Sequence, residues 1–373
     1  MVDDSDSPGA TGIAAQHAPY PDTPRKVAPT DGSDKFNTLR DPLVPVACWL
    51  LNDPAFAFDS SFVSSNFRPE LVGNEDTSGL MELVQSNQGC PASLFGHCDP
   101  MGSDALNKTL GDRRVTAIYA LLTRQTPLWE KLYSAPAVGD TWGTRAIQSM
   151  LQTLKNKSGQ SYYPQTDTAD GQYGPDTTAA VKQYQTDNPP LSADGAAGTA
   201  TRAKLFAAYM DWLCTPDGST TPFQMQIVDF LGGASAGPGD TPKLSTQSCG
   251  KFNPILLLAN SVMHGDPGTR NGLDAPNRRV IMFLFKAGTT VDPATWPCPL
   301  IGDPGDACKA AFWPDGDQRR TNGDVERSYK KKPDTMACRF YDRFARRSPC
   351  ERGAFKIWCK TRSGSGCRTL RTG

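Results

Sequence analysis

The chain has few of the residues from which metal centres and acid–base sites are usually built. Its 373 residues include six glutamates and only three histidines, widely separated at positions 17, 97 and 264. It contains no H-E-x-x-H motif and no C-x-x-C pair. A zinc hydrolase is therefore disfavoured, and no segment offers the paired carboxylates of a glycosidase. We predict that the protein is not an enzyme and uses no cofactor.

Long apolar runs and an excess of one charge are also absent. No stretch of 18 apolar residues occurs, so we predict no membrane span. The 39 basic residues balance the 39 acidic ones, which argues against a nucleic-acid partner. Residues 1–42 are rich in Pro, Gly, Asp and Ser and lack the basic and apolar regions of a secretory signal. We predict a flexible arm there and synthesis in the cytoplasm.

Cysteine, in contrast, is plentiful, and six of the eleven cysteines lie in the last quarter of the chain. We predict that residues 289–373 form a basic, Cys-rich extension, too poor in apolar mass to fold alone. The cysteine spacings match no zinc knuckle. Disulfides are favoured, but a metal site and buried thiols stay open as alternatives.

An amphipathic helix is predicted from Ser103 to about Arg124. Ser103 is a favourable N-cap, and apolar residues follow at helical spacing. Arg114 falls inside this apolar stripe, so its guanidinium needs an anion. Asp99 in the preceding loop is the nearest candidate. Two possibilities stay open, an internal Asp99–Arg114 ion pair and a ligand that bears a carboxylate.

Residues 140–212 contain an internal repeat. DGQYGPDT at 170–177 and DGAAGTAT at 194–201 share Asp, Gly, Gly and Thr at identical offsets. In each copy Gly would supply a positive φ, Asp would cap the turn and Thr would cap the next helix. With the helix WGTRAIQSMLQTL, the repeat resembles the small peptidoglycan-binding domain found beside many cell-wall hydrolases. This resemblance implies a ligand groove near Tyr173, Thr177 and Gln185.

The flanking segments resemble pieces of an OmpA-like peptidoglycan-binding domain. The pieces are FAFDSSF, FGHCDPMGS with the RR pair of the following helix, GKFNP and NRRVIMFLF. The resemblance implies an α+β fold, a βαβαββ sandwich divided into residues 43–135 and 223–288. The three-helix unit, residues 140–212, would be inserted at an exposed loop between the two parts.

The same resemblance implies a binding pocket. In OmpA-like domains an Asp and an Arg fifteen positions later bind diaminopimelate in the peptide stem of the cell wall, and Asp99 and Arg114 match them. Arg would contact a carboxylate and Asp an ammonium group, which selects for both at once. Leu110, Asp59 and Phe58 match positions around the ligand.

Other matching positions are expected to be structural, and the chain also departs from the pattern. Asn277 and Arg278 are expected to satisfy loops near the pocket. Cys98 stands where Thr is usual, and its neighbour His97 raises a nucleophile hypothesis that adjacency in sequence does not support. Gly111 stands where Ser is common and is expected to weaken the helix by about 1 kcal/mol relative to Ala.

The resemblances imply a non-catalytic protein that binds peptidoglycan and anchors a larger assembly to the wall. The lack of an export signal leads to a second hypothesis, a structural or baseplate component of a phage-like contractile injection particle. Its partners would then include other proteins of that assembly, and it would act at the bacterial envelope or in a released particle. A peptidoglycan hydrolase or amidase is the third alternative.

Overall fold

The computed structural model describes residues 26–27, 37–38, 43, 45–51, 56, 60–74, 78–99, 101–137, 139–164, 169–233, 238, 244–253, 265–291 and 341. The predicted arm and extension fall almost wholly outside the described residues. The same holds for Phe58 and Asp59 and for the six cysteines of the extension.

A mixed four-stranded sheet lies at the centre of the fold. Its strands are β1 (Pro45–Leu51), β2 (Ala92–His97), β3 (Thr246–Gly250) and β4 (Arg279–Phe285). In the order β1-β4-β2-β3, β4 is antiparallel to both its neighbours, while β2 and β3 are parallel. Strands β2, β3 and β4 are buried along their whole length. For β4 this agrees with the near-continuous apolar sequence, which is typical of a strand covered on both faces.

Eight helices are described besides this sheet, so the chain has the predicted α+β class. They are α1 (Arg68–Val72), α2 (Leu80–Ser86), α3 (Asp104–Thr123), α4 (Thr126–Ser134), α5 (Gly143–Thr153), α6 (Pro175–Asp187), α7 (Thr199–Cys214) and α8 (Pro267–Leu273). Short 3-10 turns cover Ser65–Phe67, Ile227–Asp229 and Ala275–Asn277, and Lys26–Val27 pairs with Asn37–Thr38. Among the described residues, no helix has both the length and the apolar composition that crossing a membrane requires.

Three local predictions differ from the structure. The pattern of residues 68–86 predicts one helix, but the structure has two, because the chain turns at Gly73 with φ +79°. The alternation in FAFDSSFV predicts a strand, but within the described residues it forms only one bridge, between Phe56 and Val63. The pattern from residue 229 to 285 predicts loop and strands, but helix α8 lies between β3 and β4.

Helix α3 packs across β2 and β3, and glycine is needed at the crossing. The Ser103 hydroxyl accepts the N–H of Leu106 at 3.2 Å, which confirms the predicted cap. A Cβ atom on Gly111 would lie 2.5 Å from Oγ of Ser248, and one on Gly96 would overlap the carbonyl of Gly111. Helix propensity counts Gly111 as a weakness, whereas the short distance between helix and sheet requires it.

The two faces of the sheet are covered by different parts of the chain. Helices pack on the face of Leu94 and Met282, and a second apolar cluster with Phe95 and Phe283 lies on the other. Tyr341, from the predicted extension, joins this second cluster with its ring 5.6 Å from that of Phe95. The extension therefore supplies at least one buried residue to the sheet. Cys48 of β1 is disulfide-bonded, and the other described cysteines are reduced.

Helices α5, α6 and α7 interrupt the connection between two neighbouring parallel strands, β2 and β3. They share one continuous apolar core with the helices around the sheet. The rings of Trp129 in α4 and Trp142 before α5 lie 5.2 Å apart, and both contact Phe206 of α7. The three-helix unit is thus packed firmly against its surroundings.

A buried ion pair stands at this junction. Nε of Arg113 in α3 lies 2.5 Å from Oδ2 of Asp140, whose side chain is fully buried. The same carboxylate accepts the backbone N–H of Ser61 at 2.9 Å and its hydroxyl at 2.5 Å, and Trp142 donates to that hydroxyl. Arg113 also donates to two backbone carbonyls at the end of α4. One ion pair therefore joins α3, α4, the start of α5 and the segment 60–63.

We expect Asp140→Asn to destabilise the protein by about 3–5 kcal/mol, because it leaves a buried guanidinium without its counter-charge. The free energy of unfolding in urea measures this loss. Asp217→Asn is the matched control: Asp217 also pairs with an arginine, Arg68, but its side chain is 88% exposed. The control should change stability by no more than about 1 kcal/mol. Equal effects of the two variants would contradict a central role for the buried pair.

Candidate functional site

Asp99 lies just after β2, with 8% of its surface exposed. Its Oδ1 accepts the N–H of Met101 at 3.1 Å, and its Oδ2 lies 3.2 Å from Nη1 of Arg278. Arg278 also donates to the carbonyl of Asn271 at 2.8 Å. The alternative of an internal Asp99–Arg114 ion pair is therefore wrong. The partner is Arg278, which the sequence pattern assigned only to loop structure, because nothing in a linear pattern brings residue 278 to residue 99.

Arg114 is fully buried in α3, as its place in the apolar stripe predicts. Its Nε donates to the carbonyl of Ser60 at 2.9 Å, and its Nη1 lies 4.0 Å from Sγ of Cys98. The guanidinium carbon lies 5.3 Å from the ring centre of Phe56. Nη2 is buried and has no hydrogen-bond partner among the described residues. A buried cation with an unused donor is costly, and a bound carboxylate would satisfy it.

The other residues predicted for this pocket divide into two groups. Leu110 is 3% exposed and lies on α3 one turn before Arg114. Phe58 and Asp59 lie outside the described residues, next in sequence to Ser60. Asp99 and Arg114 are near each other, since Arg114 contacts Cys98, the neighbour of Asp99. The nucleophile hypothesis gains nothing from this geometry, because Cys98 donates to Asn107 O while His97 Nδ1 bonds Phe252 O.

Asp274 is a buried acid that sequence reasoning missed. It is 1% exposed; Asn277 donates to its Oδ1 at 2.5 Å, and its Oδ2 has no hydrogen-bond partner within the part of the chain that the structure describes. The pKa of Asp274 is raised to about 7. Burial is the main cause and the nearby Asp99 adds to it, while Asn277 and Arg278 oppose the shift. The sequence Asp-Ala-Pro is typical of a helix start, so it reveals a cap but not its burial.

The predicted groove of the three-helix unit is built around two buried glutamines. Gln148 Nε2 donates to Oδ1 of Asp170 at 2.8 Å, to the carbonyl of Gln172 at 3.1 Å and to the hydroxyl of Thr177 at 3.0 Å. Its Oε1 accepts the N–H of Gly171 at 2.8 Å. Asp170 also accepts the N–H of Gln172, which caps the turn as predicted. One amide therefore holds the whole first turn.

The second turn repeats this arrangement atom for atom. Gln185 Nε2 donates to Asp194 at 2.8 Å, to the carbonyl of Ala196 at 2.9 Å and to the hydroxyl of Thr201 at 3.0 Å. Its Oε1 accepts the N–H of Gly195 at 2.8 Å. The Ala196 N–H and the Gln185 amide together lower the pKa of Asp194. Both turn glycines have positive φ, as predicted.

Two details of the predicted groove change. The repeat threonines do not cap their helices: Gly174 and Gly198 occupy the N-cap positions, and each threonine is the third helical residue, where its hydroxyl contacts the glutamine. Thr177 and Gln185 are 1% and 2% exposed, so both are enclosed by the turns. Tyr173 is 43% exposed, and its hydroxyl bridges Gly195 O and Ala197 N. Of these predicted contacts, only Tyr173 presents surface to a ligand.

The part of the chain that the structure describes holds no group of three His, Cys, Asp or Glu side chains placed to bind a metal ion. The possible metal site in the Cys-rich extension lies outside the described residues.

We expect Gln185→Glu to destabilise the protein by about 1–3 kcal/mol, because the new carboxylate would face three acceptors without a hydrogen to donate. Urea unfolding followed by circular dichroism measures the change. Gln183→Glu on the exposed face of α6 is the control and should be nearly neutral. Similar losses in both variants would show that the buried amide does not hold the turn.

We expect Asp274→Asn to remove a pH dependence of stability. Because the folded pKa of Asp274 is raised to about 7, the folded state binds the proton more tightly than the unfolded chain, whose pKa is near 3.8. The contribution of Asp274 to stability is therefore largest below pH 3.8 and is lost as pH rises towards 7. Between pH 5 and pH 8 the wild type should lose at least about 1.4 kcal/mol more than Asp274→Asn, the equivalent of one pKa unit. Urea unfolding of both proteins at the two pH values measures this loss. If wild type and Asp274→Asn lose the same stability between pH 5 and pH 8, the prediction is wrong.

One family model matches the chain. Residues 143–205, which span α5, α6 and the first seven residues of α7, match the family described as "Putative peptidoglycan binding domain". Neither the comparison with curated proteins nor that with solved structures finds a match. The family match confirms the resemblance seen in the repeat, and it indicates peptidoglycan as a partner and association with the cell wall.

Proposed function

We propose that the protein binds peptidoglycan without cleaving it, and that it does so at two places. The first is the three-helix unit, supported by the family match over residues 143–205. The second is a pocket at Asp99 and Arg114 that accepts the diaminopimelate of the stem peptide. The single observation that carries this pocket is the fully buried Arg114, whose Nη2 has no partner.

The chemistry of diaminopimelate fits this pair of side chains. Its free end bears one carboxylate and one ammonium group. The carboxylate would accept from Nη2 of Arg114 in a charge-assisted hydrogen bond. The ammonium would donate to Asp99, since a carboxylate offers about four lone-pair sites and the contacts with Met101 and Arg278 use only part of them.

The arrangement around the sheet supports an OmpA-like domain interrupted by the three-helix unit. Helix α3 follows β2 directly, and β3 returns beside β2 in parallel after the unit. Phe56 and Ser60, which flank residues 57–59 in the sequence, both contact Arg114. This adjacency supports ligand roles for Phe58 and Asp59 between them.

We further propose that wall binding anchors a larger assembly, and that a phage-like contractile injection particle is one such assembly. Co-purification with sheath, tube or spike proteins tests this setting. Recovery of the protein alone from the producing cells would count against it.

The pocket is tested with two soluble peptides. We expect the tripeptide L-Ala-γ-D-Glu-diaminopimelate to bind the full chain at least about tenfold more tightly than the same peptide with lysine in the third position, which lacks the second carboxylate. Arg114→Gln should remove this preference in isothermal titration calorimetry. Asp99→Asn should weaken binding of both peptides, because lysine keeps the ammonium group, whereas Lys131→Gln, an exposed change on α4, should change neither.

Binding to purified sacculi is measured in parallel, with melting curves to confirm that each variant folds. Equal affinity for both peptides would exclude the pocket, even if sacculi are still retained through the three-helix unit. Release of soluble muropeptides in the same tube would replace the binding proposal with a hydrolase.

A further inference from the structure

A cleft with a volume of about 720 Å³ opens where the three-helix unit meets the segment 60–65. Phe62 contributes one part of its wall, Trp212 near the end of α7 another, and Arg145 and Lys155 the basic part. The volume lies within the roughly 300–1,000 Å³ range typical of pockets for small ligands. None of the contacts proposed above for the stem peptide lines it.

The apolar part of the wall is aromatic. The rings of Phe62 and Tyr209 are nearly parallel, with centres 6.0 Å apart, and those of Tyr209 and Trp212 are 6.2 Å apart at an interplanar angle of 14°. Tyr209 is fully buried and bonds Val63 O, so it fixes the other two rings. Phe62 and Trp212 are half-buried and expose apolar surface to the cleft. Such rigid surfaces suit flat ligands with apolar faces, such as sugar rings.

The remaining wall offers hydrogen bonds and positive charge. Hydroxyl and amide side chains dominate it, namely Ser60, Ser64, Ser65, Thr141, Ser149, Gln152 and Thr153. Arg145 and Lys155 are exposed, and each makes one hydrogen bond, to Asp170 O and to Ser161 Oγ, that leaves further donors for a ligand. Among the described residues that line the cleft, none is acidic. These side chains would suit a polar ligand that contains rings and a few carboxylates.

Ser60 connects this cleft with the Arg114 pocket. Ser60 lines the cleft, and its carbonyl accepts a hydrogen bond from Nε of Arg114 at 2.9 Å. Ligands at the two places would therefore lie on either side of one residue. In peptidoglycan the glycan strand and the stem peptide are joined covalently through the lactyl group of muramic acid, so one polymer segment can occupy both.

We propose that the cleft binds the glycan strand of peptidoglycan, with sugar rings against Phe62 and Trp212 and, where a muramic acid residue of the strand carries no peptide, its free lactyl carboxylate at Arg145 and Lys155. This inference rests on the proposed function and adds a site for the polysaccharide, formed jointly by the three-helix unit and the segment 60–65. Two cations among seven uncharged polar side chains favour a sparsely charged glycan over a nucleic acid, which carries one charge on every nucleotide.

The test uses the full chain and peptide-free glycan strands, prepared by treating sacculi with an amidase so that the lactyl carboxylates are free. We expect calorimetry to show binding of these strands, and binding of uncharged N-acetylglucosamine oligomers to be weaker by about tenfold or more. Arg145→Gln and Lys155→Gln should each weaken strand binding by about tenfold and abolish its preference over the uncharged oligomers. Both residues are exposed, so these variants should fold, and Trp212→Leu should weaken both ligands.

Lys182→Gln, an exposed change on α6 outside the cleft, is the matched control and should bind like the wild type. Retention of sacculi without any binding of peptide-free strands would overturn the cleft assignment and leave the proposed function standing. If the wild-type chain does not bind sacculi at all, both the cleft assignment and the proposed function are overturned. Strand binding that the cleft variants leave unchanged, or tighter binding of an oligonucleotide, would also reject this ligand.

Discussion

Arg113 and Asp140 form an ion pair that solvent hardly reaches, at the point where the helices around the sheet meet the three-helix unit. Every polar group there has a partner: the carboxylate accepts from Ser61 as well, and the guanidinium donates to carbonyls at the end of α4. Such completeness is what makes a buried charge tolerable. The pair holds the segment 60–63 in place, and that segment forms both the Ser60 contact with Arg114 and the Phe62 side of the cleft.

The three-helix unit depends on a different device, used twice. A buried glutamine amide satisfies the carboxylate, the carbonyl, the hydroxyl and the glycine N–H of each turn. In each turn, one side chain therefore satisfies a backbone carbonyl and a backbone N–H as well as two side chains. The turns are therefore rigid supports for α6 and α7, and Trp212 at the end of α7 faces the cleft from a fixed position.

The pocket at Asp99 and Arg114, by contrast, contains buried charged groups whose hydrogen bonds are incomplete. Arg114 keeps an unused buried donor, and Asp274 holds its proton to near neutral pH because burial disfavours its charged form. Asp99 is neutralised by Arg278, which lies 179 residues later in the sequence. Buried polar groups that are left unsatisfied are costly to folding, and a zwitterionic ligand would remove that cost at Arg114.

By itself, the sequence determined the local elements. The Ser103 cap, the burial of Arg114, the positive φ of the two turn glycines and the apolar strand at residues 279–285 follow from side-chain chemistry and spacing, which act over one or two turns of chain. The repeated Asp, Gly and Thr also revealed the unit that the family model matches. The sequence pattern placed Gln185 at the groove but did not reveal that Gln148 and Gln185 hold the two turns in the same way, because they precede their turns by unequal separations, 22 and 9 residues.

Tertiary structure alone decided the partners of the charges. Asp99 meets Arg278 across 179 residues, and Arg113 meets Asp140 across a helix and a connection, so no periodicity could pair them. It also decided that Thr177 and Gln185 are enclosed and that Gly111 is required by the sheet beneath it. The physical reason is that burial, and with it the cost of an unpaired charge or an added methyl group, depends on which surfaces come together and not on the order of residues along the chain.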